Sequence, residues 1–104
     1  MKAPTTEMLA ANGSTAWHTC LGTLVQFQLS ATFGGGAVAL EIKDAAGNAI
    51  PLTDDSGTAI SITVATARNL EVPSGSEVRA TLSGATAPSL LVSIKEISDG
   101  RSQY

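Results

Sequence analysis

The feature that most constrains this chain is a period of two that keeps restarting. Thr23, Val25, Phe27 and Leu29 alternate with Leu24, Gln26, Gln28 and Ser30, and the pattern returns in Val38-Leu40-Ile42, Ile60-Ile62-Val64 and Val78-Ala80-Leu82. Leu90, Val92 and Ile94 make a late run, with Leu91 and Ile97 packing on its other face. Successive side chains of a strand point to opposite faces, so each run reads as a half-buried strand. Glu41, Lys43, Ser61, Thr63, Arg79 and Thr81 fall on the opposite side, leaving one face for a core and one for water or a partner. Shorter strand candidates are Ala16-Trp17-His18, Ala49 to Leu52, and Asn69-Leu70-Glu71-Val72.

Turn chemistry separates the runs. Asp44-Ala45-Ala46-Gly47-Asn48 reads as the close of a hairpin, and Asp54-Asp55-Ser56-Gly57 starts with acids and supplies a glycine for positive φ. Pro73-Ser74-Gly75 and Ser83-Gly84-Ala85-Thr86-Ala87-Pro88 complete the series, while Gly34-Gly35-Gly36 reads as a flexible connection or a β-bulge. Short alternating strands with regular turn signals predict an all-β fold: a single small antiparallel β-sandwich, jelly-roll-like, of about seven or eight short strands. The one helical candidate, Thr6 to Ala11, is a single turn too short to persist unaided. Residues 1–13 read as an N-terminal arm, 14–97 as the sandwich and 98–104 as a C-terminal tail. Such arms either fray or dock on a neighbouring subunit, with Met8, Leu9 and Tyr104 as the apolar contacts.

Composition narrows the function classes. A chain of 104 residues is one domain, and its single cysteine, Cys20, cannot form an internal disulfide. Six basic against nine acidic residues give a net charge of −3, without the clustered Lys and Arg of a nucleic-acid footprint. Met1 to Glu7 carries no apolar segment behind its lysine, and no apolar run reaches membrane-spanning length. The expectation is a soluble product of a cytoplasm, with neither nucleic acid nor membrane as partner.

Several reactive constellations fail on their own terms. His18 and Cys20 share a strand face, but nucleophilic catalysis also needs an orienting third group and a pocket. One histidine and one cysteine fall short of a zinc ligand set. The triple glycine lacks the Lys and Ser/Thr of a phosphate loop, and Asp44, Asp54 and Asp55 lack the spacing of a calcium loop. The acids sit mostly in turns rather than across a cleft, and Asn12-Gly13-Ser14 reads as a chance sequon. The expectation is no enzyme, and no catalytic residue, metal, cofactor or small-molecule substrate. Trp17 and Phe33 draw notice because aromatics are only 4% of the chain. Each is either core or an interface anchor, and Trp17 with Gln26 and Gln28 offers a thin glycan-binding alternative.

Charged residues are only 14% of the chain, and Ala, Gly, Ser and Thr make up roughly half of it. Strand edges need lysine, proline or cover to avoid pairing, and beyond Lys2 the chain has only Lys43 and Lys95. Lightly guarded edges point to assembly, with modest contacts repeated by symmetry. Three segments then stand out. Phe33-Gly34-Gly35-Gly36-Ala37-Val38-Ala39-Leu40-Glu41-Ile42, with the Asp44–Asn48 turn after it, resembles the opening of small structural proteins of tailed bacteriophages. Leu70-Glu71-Val72-Pro73-Ser74-Gly75-Ser76-Glu77-Val78-Arg79-Ala80 and Thr81-Leu82-Ser83-Gly84-Ala85-Thr86 are similar to their later strand pair and last turn. A departure falls at Ala49-Ile50-Pro51-Leu52, where those proteins often carry a tryptophan.

The resemblance spans roughly residues 20–97 and implies a virion component. It implies most directly a capsid decoration or cement protein on the capsid surface, synthesised in the bacterial host cytoplasm. Its partners would be the major capsid protein and copies of itself, as a trimer or dimer. A tail, collar or fibre-associated protein and a glycan-binding host-recognition module are the alternatives. Met8, Trp17, Phe33 and Tyr104 are the residues expected at its interfaces.

Overall fold

The computed structural model describes residues 5–54 and 56–96. These form β1 (Thr5–Leu9), β2 (Gly13–Ser14), β3 (His18–Thr19), β4 (Leu24–Thr32), β5 (Ala37–Lys43), β6 (Ala49–Pro51), β7 (Ser61–Ile62), β8 (Thr66–Glu71), β9 (Glu77–Ser83) and β10 (Ser89–Glu96). No helix occurs among the described residues. Sheet A has the order β1-β10-β4-β8. Sheet B has the order β2-β9-β5-β6, with β3 also on β9 and β7 also on β5. Every pairing is antiparallel.

The alternation read from the sequence decides which face is inside. Val25, Phe27 and Leu29 of β4 and Leu90, Val92 and Ile94 of β10 point inward from sheet A. Val38 and Leu40 of β5 and Val78, Ala80 and Leu82 of β9 point inward from sheet B. Together they make one core cluster, an arrangement compatible with a small β-sandwich. Full burial of each large aliphatic or aromatic side chain is worth about 1.5–3 kcal/mol, so these rows supply most of the driving force.

The two acidic turns follow one design. Asp44 Oδ1 accepts from the N–H groups of Ala46 and Asn48, and the Gly47 N–H bonds to the Asp44 carbonyl. Asp54 Oδ1 accepts from Ser56 and Thr58, and the Gly57 N–H bonds to the Asp54 carbonyl. An aspartate at the first position satisfies donors that the turn would otherwise leave to water.

Two expectations need correction. Residues within the expected N-terminal arm are sheet: β1 pairs with β10 from Thr5↔Ile94 to Leu9↔Leu90, and β2 pairs with β9. Backbone pairing and the burial of Leu9 hold β1, whose few residues are too short a run for periodicity to register. The one helical candidate, Thr6 to Ala11, falls largely on this strand and forms no helix, in keeping with its being too short to persist. Val64 does not continue the Ile60-Ile62 row; it is exposed, because β7 ends at Ile62 and the chain then crosses to sheet A.

Gly34-Gly35-Gly36 is a packed turn rather than a flexible connection. The Gly36 N–H bonds to the Phe33 carbonyl, and Gly34 and Gly35 both have positive φ (63° and 78°). The turn carries the chain from sheet A to sheet B and lies against the β9–β10 connection, whose Thr86 N–H bonds to the Gly34 carbonyl. Asn12 fastens that connection from the other side: its Nδ2 donates to the Ala85 carbonyl and its Oδ1 accepts from the Ala85 N–H. The asparagine of the chance sequon is thereby a structural clamp.

Candidate functional site

Chemistry-bearing side chains gather in three places. On the outer face of sheet B, Trp17 lies in the connection between β2 and β3, half-buried beneath two cations. Lys43 Nζ is 4.9 Å and Arg79 Cζ 4.4 Å from the ring centroid. The register places Glu41 opposite Arg79, whose Nε donates to Glu41 Oε1 at 2.8 Å. Thr81 Oγ1 donates to the same oxygen at 2.6 Å and lies 2.8 Å from Ser14 Oγ, while Lys43 Nζ is 3.4 Å from Glu77 Oε1. Burial pushes the Glu41 carboxyl up, but the bonds from Thr81 and Arg79 and the arginine's charge outweigh it, so its pKa lies below the ordinary value. Each cation over Trp17 already has a carboxylate partner. The cluster fixes the interrupted β2–β3 edge onto β9 and presents a nearly neutral surface.

The second place lies between the sheets at one end of the core. His18 on β3 pairs with Val78 and faces inward, and Glu96 is the last inward position of β10, opposite Val25. Their side chains are almost wholly buried, with His18 Nε2 3.6 Å from Glu96 Oε2. Glu96 Oε1 accepts from the Leu21 N–H at 2.9 Å and the Gly22 N–H at 2.7 Å. Burial raises the Glu96 pKa, but these two bonds and His18 bring it below the ordinary value. Cys20 is buried beside this group, and desolvation together with the Glu96 charge raises its thiol to about 11. Glu96 is thus the third group that the His18–Cys20 pair lacked in the sequence. It acts against thiolate formation, because a carboxylate near the sulfur disfavours a second negative charge.

The third place is the outer face of sheet A. Met8 and Leu91 are directly opposed across β1 and β10, 54% and 37% exposed, and Ser30 of β4 continues the row. Among the described residues no strand pairs with the far side of β1. Further along the face, Gln28 Nε2 donates to Gln26 Oε1 and Gln26 Nε2 to Asn69 Oδ1, an uncharged amide row.

The residues expected at an interface are scattered. Met8 is exposed at the edge of sheet A, while Trp17 is half-covered on sheet B. Phe33, 8% exposed, belongs to the core; the packed glycine turn after it directs its ring inward, so it cannot serve as an exposed anchor. Tyr104 lies outside the described residues. Leu91 was placed on the outer face but not at an interface, and Glu96 was missed, although parity with Leu90, Val92 and Ile94 puts it inside. Among the described residues, no group of three or more His, Cys, Asp or Glu side chains is placed to hold a metal ion. No helix among them is long and apolar enough to cross a membrane. Comparison with known proteins finds no matching family model, no matching curated protein and no matching solved structure.

Proposed function

We propose that this chain is a virion structural protein of a tailed bacteriophage, a capsid decoration or cement protein that binds outside the major capsid lattice as a dimer or trimer. It acts by covering surface, not by catalysis, after synthesis in the bacterial host cytoplasm. The observation that carries the reading is the exposed Met8–Leu91 pair beside the side of β1 that no described strand pairs. An apolar pair next to free backbone donors and acceptors is a place where another chain gains both packing and hydrogen bonds.

The strand order supports the same reading. With β2 and β3 taken as one interrupted edge strand, and β6 and β7 as another, the orders of the two sheets support a jelly-roll reading. The jelly roll is an architecture that recurs in viral capsid proteins and in lectins. The segments resembling phage structural proteins, residues 33–42 and 70–86, contribute most of β5, the end of β8 and all of β9.

Cosedimentation tests the proposal. The chain should saturate isolated phage heads that lack it, and Met8→Lys with Leu91→Lys should weaken binding at least tenfold while leaving the fold intact. Binding to tails or to a polysaccharide, with none to heads, would replace the proposal by the tail or glycan alternative.

A further inference from the structure

We infer that Glu96 closes an acid-sensitive clasp between the two sheets, holding the segment from Cys20 to Thr23 against β10 and releasing it when the carboxylate takes up a proton. The geometry is specific. One carboxylate oxygen bonds two successive backbone N–H groups, Leu21 and Gly22, and the other faces the buried His18 imidazole. On its other side the segment is tied to the 72–76 turn. The Cys20 N–H bonds to the Ser76 carbonyl, the Gly75 N–H to the Cys20 carbonyl, Ser74 Oγ to the Leu21 carbonyl and the Val72 N–H to the Thr23 carbonyl. Among the described residues, Glu96 is therefore the side chain that ties this segment to β10 at the end of the core.

Protonation weakens the link. A neutral carboxyl is a much weaker acceptor for the two N–H groups than a carboxylate. Among the described residues, the titratable groups facing Glu96 are His18 on β3 and Cys20 just beyond it. The thiol is neutral throughout the acid range and does not oppose the change. Because Glu96 has a lowered pKa when the clasp is closed, the open form binds the proton more readily. Closure is complete above the ordinary carboxylate pKa and is lost as pH falls through the lowered one. This device is independent of the virion reading.

Cys20 supplies the readout, because it is buried under the clasp. The intact chain is treated with a dipyridyl disulfide, which reads thiols in acid, and each rate is divided by that of the denatured chain at the same pH. The relative rate should rise severalfold between about pH 7 and about pH 3. E96Q, which mimics the neutral acid, should show the raised rate already at neutral pH and little further change. In the unmodified chain, the Leu21 and Gly22 amides should lose exchange protection in acid while those of Phe27 and Leu40 keep it. A relative rate that stays flat, or an E96Q chain as protected and as acid-sensitive as the unmodified one, overturns the inference. Simultaneous loss of protection at Phe27 and Leu40 also overturns it, since opening would then be global. Should E96Q fail to fold, the amide exchange of the unmodified chain decides.

Discussion

Substituting Gly34, Gly35 and Gly36 by alanine one at a time separates two costs that the turn combines. At Gly35 an added Cβ meets nothing within 4 Å, so only its positive φ of 78° is penalised. Left-handed backbone costs a non-glycine residue about 1–2 kcal/mol, and the loss of unfolded-state freedom returns about 0.4–1 of that. The net expectation for Gly35→Ala is a loss of about 0.5–1 kcal/mol. Gly36 has no positive φ, but its Cβ would stand 2.7 Å from the Ser83 carbonyl oxygen and 2.8 Å from Ala85 Cβ. The neighbouring backbone must move, and Asn12 and Gly34 hold it in place, so overpacking of about 1–3 kcal/mol follows. Gly34 carries both penalties: φ of 63° and a Cβ 2.5 Å from the Thr86 carbonyl oxygen. Its loss should be the largest, about 2–4 kcal/mol. Urea unfolding followed by Trp17 fluorescence measures all three. Equal small losses, or Gly35→Ala as the worst, would show a slack connector and refute the packed turn.

The remaining predictions rest on single groups. Phe33→Ala should cost about 3–5 kcal/mol as a core truncation, and a loss below about 1 kcal/mol in urea unfolding would place the ring outside the core. Ala31 has φ of 74° inside β4, so Ala31→Gly should be neutral or raise the urea midpoint, whereas a clear destabilisation would contradict the strain. Glu41 and Glu96 both have lowered pKa values when folded, so the unfolded chain binds more protons in acid. Stability should be full above the ordinary carboxylate pKa and decline as pH falls through the lowered ones; a urea midpoint unchanged or rising on acidification would contradict this. Arg79→Ala should uncover Trp17 and strip Glu41 of a donor, seen as faster fluorescence quenching by iodide; unchanged quenching would remove Arg79 from the ring.

Most of the core was legible because strand parity is a local property. Val25, Phe27, Leu29, Val38, Leu40, Val78, Ala80, Leu82, Leu90, Val92 and Ile94 can all be placed inside by counting in twos. What escaped depends on long-range pairing. β1 becomes a strand only because β10 offers its edge, and its five residues carry too little alternation to announce it. The glycine turn looked loose because its tightness comes from residues 83–88, about fifty positions away in sequence. Phe33 was open between core and surface for the same reason. Glu96 lay in plain parity with Ile94, yet a carboxylate on a core face is intelligible only once His18 and the Leu21 and Gly22 amides are beside it. The cations over Trp17 come from β5 and β9, so the register of β5 and β9 had to be known first.

The central claim, that this chain is built to coat a phage head, meets its most direct test in the virion. Quantitative mass analysis of purified virions, with separated heads and tails, gives its copy number and location. A decoration protein should appear in a large, symmetry-related number that follows the heads. A handful of copies that follow the tails, or absence from the virion, would contradict the account.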